Sequence, residues 1–247
     1  MREHALKFAS KRNDEAIQWD ELFEGQGVPK SYQEFLSLHD PRVVPTGKLH
    51  LNSDGFDLVL NDMVEVSIAK SFASSGFARA IRGQTYAIPF VKPWAKKSSP
   101  YYPDFIIYSH DGRICFLEVK SIMGMCQDET IAKYTYMSDF CKKRGYVYAM
   151  IDVDRIPFDL YLWPDSNPKA KEFFDKTIAS CGGFNEHHLN QFLMHVPPKH
   201  RNEARRAFAS LILLDPYIEN RYCHDDPRLV NAVKNTESLP YKKFNGI

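Results

Sequence analysis

The chain has 247 residues, 44% hydrophobic and 26% charged, with a formal net charge of +1. This is ordinary globular composition, enough for one large domain or two small ones. A charge so near zero excludes a general positive field as the means of holding nucleic acid, so any such binding must come from local patches.

No apolar run approaches the ~20 residues a membrane span needs. The opening MREHALKFASKRNDEAIQWDE is too charged for a signal peptide. The five cysteines (Cys115, Cys126, Cys141, Cys181 and Cys223) form no CxxC pair. An odd count without a secretion signal points to a reducing, cytosolic setting.

Residues 1–30 read as an irregular or helical arm ending at GQGVPK. Short segments punctuated by DP, PTG and SDG turns follow to residue 60. A helix is expected from near Asp62 to about Ala73. Asp62 and Glu65 have the D-x-x-E form of a capping box, and Val64, Ile68 and Phe72 recur at helical spacing. IRGQTYAIPF reads as a strand, and the loop VKPWAKKSSP leads on to YYPDFIIYSHDGRICFLEVKS. A second helix is expected over Asp128–Arg144, with Ile131, Tyr134, Met137 and Cys141 as its apolar stripe and Gly145 as its stop. YVYAMID is then a strand.

From residue 168 the patterns are mainly helical: KAKEFFDKTIAS, NEHHLNQFLMHV, KHRNEARRAFASLILL and DPRLVNAV. The expected fold is α/β, a mixed sheet flanked by helices, with a mainly helical C-terminal domain. The expected limits are an N-terminal arm and short strands over 1–55, a core over 56–163 and the helical domain over 164–247.

The segment 101–121 carries the chemistry. Phe105, Ile106, Ile107, Ile114, Phe116, Leu117 and Val119 make a buried hairpin, yet Asp104, Glu118 and Lys120 interrupt it. A buried charge is costly unless it is paired, hydrogen-bonded or metal-bound. Side chains alternate along a strand, so Glu118 and Lys120 share one face. A three-residue turn, His110-Asp111-Gly112, would set Asp104 opposite Glu118, with Gly112 in the left-handed position such loops favour. A two-residue Asp-Gly turn would put Asp104 on the other face, and the sequence permits both. Two neighbouring carboxylates repel and raise each other's pKa, which a divalent cation relieves. Oxygen-only ligands suit Mg²⁺ or Mn²⁺. Lys120 can then hold a water or the developing phosphorane charge, which points to metal-assisted phosphodiester hydrolysis.

Pro103-Asp104 followed by Glu118-Val119-Lys120 resembles the signature of the PD-(D/E)xK nuclease superfamily. That likeness implies a restriction-endonuclease-like core. It also implies a metal held by Asp104, Glu118 and the Val119 backbone carbonyl, with Lys120 catalytic. Upstream, YQEFLSL, TGKLHLNSDGFDLVLNDMVE and IRGQTYAIPF resemble TnsA, the endonuclease subunit of heteromeric bacterial transposases. The likeness covers about residues 20–165. It implies that a helical glutamate, here Glu65, completes the metal site directly or through water, and that Gln84 lies on the following strand. Glu34 is a poorer substitute for Glu65, whose other role is the capping box itself.

Such a subunit hydrolyses the 5′-ending strand at each transposon end. A DDE-type, TnsB-like transposase handles the 3′ ends, and an AAA+, TnsC-like regulator contacts a C-terminal region that is winged-helix-like in better-known members. The implied setting is the bacterial cytoplasm, and the implied partner is double-stranded DNA. The alternatives are a stand-alone restriction or anti-phage defence nuclease of the same superfamily, and a non-catalytic assembly adaptor. The intact Asp104/Glu118/Lys120 set argues against the adaptor.

Other features have plainer readings beside the functional ones. Lys92, Lys96 and Lys97 around Trp94 could track DNA phosphates or form a solvated loop. Lys142, Lys143 and Arg144 complement a helix dipole. Lys199, His200, Arg201, Arg205 and Arg206 form the densest basic cluster, facing DNA, an acidic partner or solvent. His187, His188 and His195 near Cys181 match no standard zinc spacing. Gln127 and Lys133 lie just past the motif, where related nucleases sometimes place an auxiliary polar residue.

Overall fold

A computed structural model describes residues 18–43, 49–53, 56–92, 97–162, 167–181 and 184–214, with the backbone alone for 49–53 and 56–57. These residues divide into two compact units. One runs to Val119 and takes up Ala132–Pro157; the other is Lys120–Ile131 with the residues from Phe158 on. The expected boundary at Trp163 falls outside the described residues, as do Cys223 and the DPRLVNAV segment.

The first unit begins with α1 (Trp19–Leu22) and α2 (Tyr32–Ser37). The described end of the expected arm belongs to the core. Trp19, Leu22 and Phe23 are buried, Trp19 stacks on Phe72 at 3.8 Å between ring centroids, and its indole N–H donates to Ser71 Oγ at 3.0 Å. Next come two antiparallel strands, β1 (Leu49–Ser53) and β2 (Phe56–Leu60). Helix α3 (Met63–Ser75) starts where the capping signal placed it. Asp62 is the N-cap, and its Oδ1 accepts from the N–H groups of Val64 and Glu65 at 2.8 and 2.9 Å.

The segment IRGQTYAIPF was expected as one strand but forms two. β3 (Ala78–Arg82) and β4 (Ile88–Phe90) belong to different sheets. Between them Thr85 N–H turns back to Gly83 O, and Asp40 N–H takes Thr85 O at 2.9 Å. The backbone groups that would continue a ladder are thus used in a turn and in a tie to Asp40. Gln84 sits in this bend rather than on a strand.

The main sheet has the order β3-β6-β7-β8, with β6 (Phe105–Ser109), β7 (Ile114–Val119) and β8 (Val147–Ile151). The β3–β6 and β6–β7 pairs are antiparallel and β7–β8 is parallel. The parallel step requires a crossover, and α4 (Asp128–Arg144), which precedes β8, supplies it with the limits expected. The result is a mixed α/β architecture with a mixed sheet flanked by helices. Every residue of β6 and β8 is buried, which is why these strands read as apolar runs without alternation. Phe105, Phe116 and Leu117 are wholly buried, each contributing roughly 1.5–3 kcal/mol of apolar burial.

The second unit holds a 3₁₀ turn over Met123–Cys126, another over Phe158–Leu162, then α5 (Pro168–Cys181), α6 (Glu186–Leu193) and α7 (Arg201–Leu214). Phe208 is its hub, with the rings of Phe184 and Phe192 at 5.0 and 4.9 Å. Among the described residues no helix is long and apolar enough to cross a membrane.

Candidate active site

The turn settles the register. Ser109 N–H donates to Arg113 O at 3.0 Å and Gly112 N–H to Ser109 O at 3.1 Å. Gly112 has φ +84°. This is the three-residue loop, not the two-residue turn. The ladder runs Tyr108↔Ile114, Ile107↔Cys115, Ile106↔Phe116 and Phe105↔Leu117. One more step along the same register sets Asp104 opposite Glu118. An L-residue at a left-handed position costs about 1–2 kcal/mol. Gly112→Ala is therefore expected to lower stability by about that amount, read as an earlier midpoint in denaturant unfolding.

Asp104 and Glu118 are 8% and 2% exposed, so both carboxylates are buried. Oδ2 of Asp104 accepts from the Val119 N–H at 2.8 Å, which ties it to the end of β7. Oε2 of Glu118 accepts a short hydrogen bond from the Tyr101 hydroxyl. Tyr101 lies on β5 (Ser99–Tyr101), which pairs with β4 through Ile88↔Tyr101. Burial first, then the charge of Glu118, pushes its phenol well above the usual range, and the charge of Asp104 adds to this. One phenol thus senses both carboxylates. Tyr148 on β8 is raised by burial and then by Glu118. A hydrogen bond with the Tyr101 side chain acts in the opposite direction. The Lys133 ammonium lies 5.4 Å from the centre of the Tyr101 ring. Neither tyrosine belongs to a motif legible in the sequence. Tyr102, Pro103 and Asp104 separate Tyr101 from β6, and its partner strand lies outside the main sheet.

The other expected residues are Lys120 and Glu65. Strand β7 ends at Val119, one residue short of Lys120. Lys120 is half-buried and begins the second unit. Glu65 is buried on α3. Its Oε2 accepts from the Asn61 N–H at 2.6 Å and its Oε1 from the Asn61 side-chain amide at 3.1 Å. This is a displaced capping box, because the glutamate reaches the residue before the N-cap rather than the N-cap itself. Hydrogen bonds to a charged group contribute about 1.5–3 kcal/mol. Glu65→Ala is expected to lower stability by about that amount, while Glu65→Gln, which keeps an acceptor, loses less; thermal melts compare the two. Glu34 accepts from the Tyr146 hydroxyl at 2.8 Å and lies 3.8 Å from Lys30, a structural tie.

Among the described residues no three side chains of His, Cys, Asp and Glu gather closely enough to hold a metal ion. The oxygens that strand geometry brings together are two carboxylates at the end of the hairpin, with the Val119 carbonyl beside them in sequence. This donor set fits Mg²⁺, which keeps several waters and takes one or two carboxylates with substrate phosphates completing its shell.

The histidines near Cys181 have other work. His188 Nδ1 accepts from the Asn185 N–H while Asn185 Oδ1 accepts from the His188 N–H, a reciprocal cap on α6. His187 Nε2 lies 3.0 Å from the Gln191 side-chain amide. Arg144 folds back over Phe140 at 3.8 Å, at the end of α4. In the basic cluster Lys199 and His200 are exposed, and Arg201 donates to Val196 O at 3.2 Å. Trp94 and Lys96 lie outside the described residues. Cys115, Cys126 and Cys141 are buried free thiols whose pKa burial raises, and Cys181 is exposed.

Comparison with protein-family models, with curated proteins and with solved structures found no match.

Proposed function

We propose that the chain is a Mg²⁺-dependent DNA endonuclease of the PD-(D/E)xK type, acting as a TnsA-like subunit that cleaves the 5′ strand at transposon ends. The observation that carries this reading is the hairpin register, which sets buried Asp104 opposite buried Glu118. The element order is compatible with a restriction-endonuclease-like core: helix α3, antiparallel β3, β6 and β7, helix α4, then parallel β8.

In this reading Asp104, Glu118 and the Val119 carbonyl would hold the cation. The cation, when bound, supplies charge to the scissile phosphate and lowers the pKa of a water. Asp104 keeps its orientation through the Val119 N–H, and Glu118 through the Tyr101 hydroxyl. Lys120 offers an ammonium to the charge that develops on the phosphate oxygens. Glu65, whose oxygens accept from Asn61, would complete the site through a water. The partners in this reading are double-stranded transposon-end DNA, a TnsB-like DDE transposase and a TnsC-like AAA+ regulator, in a bacterial cytoplasm.

The test is a strand-resolved cleavage assay on transposon-end DNA with Mg²⁺ and with the cation chelated. Cutting of one strand per end that disappears with chelation is the expected result. Chelator-resistant cutting would remove the metal reading.

A further inference from the structure

Glu118 carries a long side chain near the end of β7, and a carboxylate that must meet a cation gains from being held in one orientation beforehand. The Tyr101 hydroxyl contacts its Oε2. Tyr101 itself has little freedom. It is 5% exposed, its backbone is paired into the β4–β5 ladder, and its ring meets Phe90 edge-on at 6.5 Å with the Lys133 ammonium on a face. A phenylalanine would fill the same space, so packing does not call for the hydroxyl. The one hydrogen bond that hydroxyl is seen to donate goes to Glu118.

We propose that Tyr101 is a positioning residue of the nuclease site, its hydroxyl setting the orientation in which Glu118 is presented, together with Asp104, to a divalent cation. This rests on the metal-site reading above and extends it to a residue outside the Asp104/Glu118/Lys120 set. Partners of this kind beyond the metal ligands typically carry about a 10–100-fold share of metal affinity.

The experiment measures Mn²⁺ binding to the full chain by electron paramagnetic resonance of the free ion, without DNA, for wild type and Tyr101→Phe. Thermal melts of the metal-free proteins run alongside. A folded Tyr101→Phe protein whose metal-free melting temperature stays close to wild type should bind Mn²⁺ about tenfold or more weakly. A merely structural hydroxyl would shift the melt and leave the affinity unchanged, and that result overturns the proposal.

If Tyr101→Phe does not fold, 3-fluorotyrosine at position 101 of the otherwise native chain takes its place, with Mg²⁺ as the ion. A ¹⁹F resonance that moves on saturation supports the positioning role, and one that stays fixed overturns it. Wild-type protein that binds no Mn²⁺ removes the metal-site reading and the positioning role together. Wild-type binding that Tyr101→Phe leaves intact removes the positioning role alone.

Discussion

Replacing Asp104 or Glu118 by alanine is expected to abolish Mg²⁺-dependent strand cleavage. A bound cation is worth several kcal/mol of transition-state charge stabilisation. Each ~1.4 kcal/mol is a factor of ten, so the loss should exceed about a hundredfold in rate. The stability effects of the two substitutions should differ. Asp104 accepts the Val119 N–H, and an orphaned buried donor costs about 1–3 kcal/mol. Asp104→Ala should therefore melt earlier, whereas Asp104→Asn keeps an acceptor and should stay near wild type while remaining inactive. Glu118→Gln should likewise hold the Tyr101 hydroxyl and lose cleavage. Cleavage of labelled end DNA and thermal melts on the same preparations separate the two effects. Active Asp104→Asn protein would mean that the carboxylate charge has no part in the chemistry.

The second large effect concerns partners. A free nuclease with an open, metal-ready site would threaten its host's DNA, while a transposase subunit needs cleavage only inside an assembled complex. The net charge of +1 supplies little overall attraction to DNA, and the basic residues stand in small clusters. Each phosphate contact contributes a salt-sensitive share of affinity, so few contacts mean weak binding at physiological salt. The purified chain alone is expected to bind DNA feebly and cut little. Adding a cognate DDE transposase and transposon-end DNA should yield cuts of one strand at each end, lost in Lys120→Ala. Efficient, partner-independent cutting of both strands at a short recognition sequence would instead identify a restriction-type enzyme.

Some of this protein could be read from neighbouring residues because the forces involved are local. Asp62 caps α3, and α4 has the bounds its pattern suggested. These depend on hydrogen bonds and periodicities spanning a few residues. The pairing of Asp104 with Glu118 was half local. Alternation and Gly112 narrowed it to two turns, and only the folded ladder chose between them, because a one-residue slip would have moved Asp104 to the other face.

The rest was decided by side-chain choices that spacing leaves open and by contacts between residues far apart in the chain, which leave no periodic trace. Glu65 has the spacing of a capping box and also stands where the resemblance places a metal ligand, and the fold turned both its oxygens to Asn61. The segment from Ile81 to Phe90 looked like one strand until its two halves paired with different partners. That second pairing is what carries Tyr101 to Glu118. Chain neighbours separated by one residue, Glu118 and Lys120, ended in different compact units. A unit's membership is decided by which distant apolar surfaces pack together, and a hydropathy pattern says that a face will be buried without saying against what.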